Sequence, residues 1–365
     1  MAFRLNPITR KKLRRFRSLR RGYWSFLLLV ALVLFACFAE LFISHRALAV
    51  RHDGRWFFPT YGAMLPGKTF GLEYEWETNY RDLRASLHPP ANADAATLVS
   101  AAVARARGDF VLLPPVPYDP VENCYTNQFF KPRAPNFAQR HFLGTDTQNR
   151  DILGRLVYGF RNALIFSVWF VAGVYGLGII LGCAMGYYGG TFDILVQRVI
   201  EIWSNIPFLY IVIIVASLIK PSLGWLVAIN VAFGWMGMTY YMRTETYKEK
   251  ARDYTAAARV LGASDTRIIL HHILPNTAAT LVTFVPFTVA GAIGSLTALD
   301  FLGFGLPVPT PSWGELLSQG TKNLTLAPWI VLSAFSAMTL VLILVTFVGE
   351  AVREAFDPKK FTLYR

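Results

Sequence analysis

The sequence is poor in the residues that carry out chemistry. Three cysteines in 365 residues, Cys37, Cys124 and Cys183, show neither even pairing nor metal-ligand spacing, so no disulfide framework and no thiolate metal centre are inferred. Two of the histidines, His271 and His272, are adjacent; a helix turns them to different sides, so they cannot grip one metal as histidines four apart do. No nucleophile elbow, zinc motif or carboxylate pair lies near them, and no catalytic site emerges. Acidic residues are outnumbered 23 to 36 by Lys and Arg. They are absent from the basic segment that opens the chain, and several long stretches carry no charge at all.

Those uncharged stretches cover 23–39, 162–192, 202–219, 225–242, 276–299 and 323–349 of a chain that is 54% hydrophobic and 15% aromatic. Most reach the roughly 20 residues a helix needs to cross about 30 Å of hydrocarbon, and flanking residues complete the shorter ones. Six spans are expected in the lipid bilayer. The first, 23–43, is too long for a cleaved signal, whose apolar core runs about 7–15 residues, and reads as a retained anchor.

The net charge of +13 falls to +4 without Arg4, Arg10, Lys11, Lys12, Arg14, Arg15, Arg17, Arg20 and Arg21, which precede that span. A basic block abutting a span holds its end in the cytoplasm, and no nucleic-acid module accompanies it, so no nucleic-acid partner is expected. Arg243, Lys248, Lys250, Arg252, Arg259 and Arg267 fall in the longest inner connection. Only Lys220 and Lys322 fall in the two short outer loops, which agrees with both termini inside.

Residues 44–161 then lie outside as a polar insertion, expected to be a small loop-rich cap. A helix over 93–107 closes at Gly108, and Pro114, Pro115, Pro117, Pro120, Pro132 and Pro135 force extended backbone. Gly62, Gly67, Lys68 and Thr69 have the spacing of a phosphate-cradling loop, but no buried strand precedes them and Gly71 comes soon after, so that reading is rejected. In the second span Gly173, Gly176, Gly178, Gly182 and Gly186 allow close helix approach. Residues 193–205 read as an interfacial elbow in which Arg198 and Glu201 can pair, Pro207 starts the third span, and Asn230 in the fourth is a candidate pathway polar group, although such a residue is more often an interhelical hydrogen bonder.

The chain is organised around 251–276. A run of small residues ends at Gly262, the residue that most readily adopts the left-handed conformation closing a helix. Ser264 can cap a second helix with Asp265 in its first turn, Ile268, Ile269 and Ile273 are its apolar positions, and Leu274, Pro275 and Asn276 end it. The product is two short helices meeting at a glycine elbow.

Ala256, Ala257, Ala258, Arg259, Gly262, Ala263, His272, Leu274 and Pro275 resemble the EAA loop of ABC importer permeases in its peptide-importer variant, with Ala256 where many relatives carry Glu. Gly144, Thr145, Asp146, Arg150 and Asp151 resemble the segment preceding the second span in C-type permeases of dipeptide and oligopeptide importers. The Gly-Thr-Asp turn leaves Asp146 able to cap the segment after it. Phe301, Leu302, Gly303, Gly305, Pro311, Ser312, Trp313 and Gly314 resemble the outer re-entrant stretch of that family, and Glu350, Arg353, Asp357 and Pro358 its inner tail. The entry to the first span, together with Arg51, Asp53, Gly54, Trp56, Phe57, Phe58 and Pro59, is similar to the microcin C type.

The resemblance implies an all-α membrane protein with the type I ABC importer permease fold. Its expected parts are a basic cytoplasmic segment (1–22), a first span (23–43), a periplasmic insertion (44–161), a permease core (162–350) with its coupling loop (243–276), and a cytoplasmic tail (351–365). The resemblance further implies the bacterial inner membrane, a second permease completing a heterodimer, and cytoplasmic subunits that bind and hydrolyse ATP with Mg. It also implies a periplasmic substrate-binding protein and a peptide-like solute, and this chain itself would bind no cofactor. The alternative is an ATP-independent secondary transporter or channel. That reading would need charged groups within the spans and is often marked by an internal repeat; neither is found.

Overall fold

The computed structural model describes residues 7–90, 93–124 and 131–356; Arg4 of the basic block and Asp357 and Pro358 of the tail lie outside them. In chain order, α1 (Pro7–Ser18) and α2 (Arg20–Cys37) lead through a 3-10 turn to β1 (Ala49–His52), β2 (Arg55–Phe57), α3 (Tyr80–Leu87), α4 (Ala95–Ala106) and β3 (Phe110–Leu112). Then come α5 (Ile152–Tyr188), α6 (Gly190–Ser204), α7 (Phe208–Leu218), α8 (Leu223–Lys250), α9 (Asp253–Val260) and α10 (Asp265–Ile268). A π-helical turn, Ile269–Ile273, joins α10 to α11 (Leu274–Phe301), and α12 (Trp313–Lys322) and α13 (Pro328–Phe356) complete the chain.

Among the described residues, five helices are long and apolar enough to cross a membrane, in α2, α5, α8, α11 and α13. The pair α6 and α7 adds a sixth span if counted as one, although it bends by 71° between the two helices. Pro207 explains where the chain breaks. It has no N–H to donate and pushes Ile206, before it, out of helical geometry. The third apolar run is therefore two helices rather than one. The second begins earlier than its uncharged run, at Ile152 rather than 162, and at 37 residues is about 55 Å long.

The chain divides into two compact units. The membrane unit comprises 1–32, 162–308 and 336–365, and the insertion unit 33–161 and 309–335, so α12 and the start of α13 group with the insertion instead of with a continuous 162–350 core. In the membrane unit, α5 and α8 approach through glycine. A Cβ at Gly178 would stand 2.6 Å from Met238 Cβ, and one at Gly182 would stand 2.5 Å from the Thr239 carbonyl oxygen and 2.6 Å from Met242 Cβ. Gly176 of the same stripe faces open space. Asn230 Oδ1 accepts the Ser295 hydroxyl at 2.7 Å and so links α8 to α11.

The insertion corrects the all-α expectation, because it contains an antiparallel sheet of order β2-β1-β3. Val50 pairs with Phe57 and Val111, and with Phe70, Tyr80, Leu83 and Leu87 it forms a small core. Strand alternation explains why a segment with no long apolar run can still have an inside. The expected 93–107 helix is α4, with Gly108 in the left-handed region at φ 80°. Lys68 sits in a 3-10 turn, Gly67–Phe70, and is paired with Glu75, which is unlike a phosphate cradle.

Candidate functional site

The 243–276 connection begins inside a helix, since α8 continues to Lys250. Glu249 organises the turn into α9: its carbonyl accepts the Thr255 hydroxyl at 2.8 Å, and its carboxylate takes Tyr254 and Arg252. Thr255 and Ala258 lie on the buried side of α9, while Ala256, Ala257 and Arg259 lie on the open side. The helix closes as its glycine predicts. Gly262 has φ 81°, its N–H donates to the Arg259 carbonyl, and the Ala263 N–H reaches back to the Ala258 carbonyl, both at 3.0 Å.

The helix after the elbow differs from expectation in two ways. Ser264 occupies the cap position but makes no capping bond through its side chain. Asp265 instead accepts the Tyr187 hydroxyl at 2.6 Å. Leu274 and Pro275 also do not end the helix. Pro275 lies in the first turn of α11, and the π turn carries the chain on from α10 into that helix without a break. His271 is exposed, and His272 is partly buried with its ring 6.4 Å from that of Tyr254.

Tyr187, at the end of α5, is the hub of this elbow. Its ring is 3% exposed and packs with Ala258, Ile268 and Ile273. Arg259 donates to its hydroxyl at 3.0 Å, and the Lys250 ammonium donates to its carbonyl. A second brace lies nearby: Arg243 of α8 grips Asp193 of α6 through two nitrogens, at 2.5 and 2.6 Å, and the Tyr247 hydroxyl adds a bond at 2.8 Å. The elbow is thus fastened to α5, α8 and α11. Its tip is bare: Val260 and Leu261 are each 87% exposed. In the sequence, Tyr187 and Tyr188 read only as aromatics suited to the membrane interface at the inner end of the second span, and Val260 and Leu261 carry no functional reading. The signal present was an aliphatic pair set directly before the closing glycine.

In the insertion unit, Gly144, Thr145, Asp146, Arg150 and Asp151 come together with residues far along the chain. Asp146 caps the turn that follows it: its carboxylate accepts the backbone N–H groups of Gln148 and Arg150, and it also takes the Arg150 guanidinium at 2.7 Å. Asp151 caps α5 through the Gly154 N–H at 2.8 Å and also holds His141 at 2.8 Å. Arg150 reaches Glu315 at 2.7 Å, and Arg155, fully buried, reaches the other Glu315 oxygen as well as the carbonyls of Pro120 and Pro309. Burial alone would lower the Arg150 pKa, but the Asp146 and Glu315 carboxylates outweigh it and leave the guanidinium above its ordinary value. His141, Arg155 and Glu315 had no sequence signal, because their partners lie up to 165 residues away.

Residues 301–314, expected to form an outer re-entrant stretch, are divided between the two units. Phe301 ends α11, Leu302 is exposed, Gly303 has φ 83°, and Gly305 lies against Asp300, whose carboxylate accepts the Leu306 N–H at 2.7 Å. In the insertion unit Ser312 caps α12 through the Glu315 N–H at 3.1 Å. Trp313 and Gly314 beside it are buried. Trp313 stacks on Phe160 at 5.6 Å and donates to the Leu156 carbonyl at 2.9 Å. No group of three or more His, Cys, Asp or Glu placed to hold a metal occurs among the described residues.

Residues 178–362 match the family described as binding-protein-dependent transport system inner membrane component. The chain is 38% identical over 360 residues to the inner membrane ABC transporter permease protein YejE of Escherichia coli K12, a match covering 98% of this chain and 99% of that one. It is 36% identical over 369 residues to the peptidoglycan transport system permease protein YejE of Agrobacterium fabrum, covering 97% and 94%. Over 229 residues it is 34% identical to the oligopeptide transport system permease protein OppC of Haemophilus influenzae, covering 62% and 73%.

Proposed function

Because this chain belongs to the family of binding-protein-dependent transport system inner membrane components, we propose that it is the membrane-spanning subunit of an ATP-driven importer of peptides or peptide-like solutes, moved by separate ATPase subunits at the 243–276 connection. It is a multi-pass inner-membrane protein. In this reading α6 and α7 form one bent span, giving six, and both termini and the elbow face the cytoplasm. The ATPase subunits bind and hydrolyse ATP with Mg, and this chain contributes only the lever. A second permease completes the pathway, and a binding protein delivers solute to the outer face beside the insertion. The solute class is drawn from the peptidoglycan and oligopeptide systems of the relatives, and a microcin C-type peptide falls within it.

The observation that carries this reading is the bare elbow tip. Two largely exposed aliphatic side chains at the end of a fastened helix suit a contact that a partner covers, and burial of each favours that contact by about 1.5–3 kcal/mol. Force applied there has three rigid outlets. Glu249 and Thr255 pass it to α8, Tyr187 to α5, and the continuous π turn to α11, so three spans move together when the ATPase subunits close. Val260→Asp combined with Leu261→Asp is expected to insert normally while losing both co-purification with the ATP-binding subunit and solute uptake. A variant that keeps both would refute the reading. A cysteine placed at Ala257, on the open side of α9, should crosslink to that subunit, whereas one at the buried Ala258 should not, and labelling at Ala257 only by periplasmic reagents would reverse the orientation.

A further inference from the structure

We infer that the basic segment opening the chain is a binding site for anionic phospholipid headgroups. In α1, Arg10, Arg14 and Arg17 stand at i, i+4 and i+7 and are all exposed, with Lys11 beside them. The opposite face is engaged: Arg15 pairs with Glu354 at 3.5 Å, and the Lys12 ammonium lies 4.5 Å from the centre of the Phe356 ring, both on α13. One side of α1 is therefore fixed to the last helix and the other presents a row of guanidinium groups.

That row is unfavourable by itself. Like charges three or four residues apart weaken a helix by about 0.2–0.5 kcal/mol per pair. The first turn of α2 repeats the problem, because Arg20 and Arg21 stand there, both exposed, with no acidic residue to match the positive end of the helix. Among the described residues, none of Arg10, Arg14, Arg17, Arg20 and Arg21 has an acidic partner within ion-pair distance. All of these charges sit within a few turns of a membrane span. Phosphodiester headgroups meet both needs, since guanidinium pairs with phosphate through two parallel bonds and a helix N-terminus also attracts anions.

The test uses the full-length protein in nanodiscs of phosphatidylcholine carrying a minor share of phosphatidylglycerol, with native mass spectrometry to count the lipids retained. Wild type should keep phosphatidylglycerol in preference to phosphatidylcholine, and NaCl raised from about 0.1 to about 0.5 M should release it. Arg10→Gln, Arg14→Gln and Arg17→Gln together should weaken retention by about 100-fold, at about five-fold per arginine. The corresponding triple Lys variant should retain most of it. Equal retention of the two lipids by wild type, or a triple Gln variant unchanged from it, would overturn the inference. So would phosphatidylglycerol retention that is indifferent to salt, a measurement that needs no variant. Loss of a bound protein subunit or nucleic acid in the Gln variant with lipid retention intact would assign the row to that partner instead. None of these outcomes bears on the elbow or its ATPase contact.

Discussion

Glu315→Ala should open the insertion unit locally. Asp146 and Glu315 balance Arg150 and Arg155, and Asp146, Arg150 and Arg155 are at most 1% exposed. Removing Glu315 leaves two buried guanidinium groups against one carboxylate. Breaking a buried pair in this way costs about 3–5 kcal/mol, because the remaining charge has neither water nor a partner. Glu315 lies in the first turn of α12 and also accepts from Gln319 at 2.9 Å, so the loss falls on that helix. Hydrogen exchange of the 313–322 amides should accelerate by roughly 150- to 5,000-fold, one decade for each 1.36 kcal/mol. Arg155→Met combined with Glu315→Leu removes equal and opposite charges and should recover part of the protection. Acceleration below about tenfold in the single variant would show that the cluster contributes little, and the account of its burial would be wrong.

Gly182→Val should force α5 from α8 and lower the thermal midpoint in detergent, at about 1–3 kcal/mol of overpacking, whereas Gly176→Val in open space should leave it within error. Equal effects from the two would refute the packing. Gly262→Val should insert normally and lose uptake, because a β-branched residue at φ 81° is strained by about 1–3 kcal/mol and the elbow opens; normal uptake would count against it. In the insertion unit His45 lies 3.3 Å from Asp119 and 3.7 Å from Glu77. The bond to Asp119 raises the His45 pKa above 6.5 against the effect of burial, while burial would raise the Asp119 pKa and His45 holds it below 3.8. The histidine's contribution is full below 6.5 and is lost as pH rises through its raised pKa; that of Asp119 is lost as pH falls through its lowered one. Protease protection of the 119–122 loop should therefore decline in wild type as pH rises from 6.5 into the alkaline range, and His45→Gln should flatten that decline. Wild-type protection that is level across the range would dismiss the pair.

Much of the protein was determined by local composition. Apolar run length marked the five long apolar helices α2, α5, α8, α11 and α13, because crossing hydrocarbon requires an uninterrupted apolar surface whatever the neighbours are. Gly262 and Gly108 marked helix ends, because positive φ is a property of one residue. The elbow was legible for the same reason, as a run of small residues, a glycine and an apolar stripe close together in the chain. The tertiary structure decided what those pieces touch. Arg150 and Arg155 on their own predict only solvated charges; Glu315, far along the chain, makes them a buried cluster. Tyr187 reads as one more interfacial aromatic until Arg259 and Asp265 close on its hydroxyl. The insertion's sheet pairs β1 with β3 across more than fifty residues, and strands of three or four residues are too short for alternation to reveal them. Backbone preference and solvent transfer act on each residue where it stands, whereas ion pairs and strand partners depend on distances that only the folded chain sets.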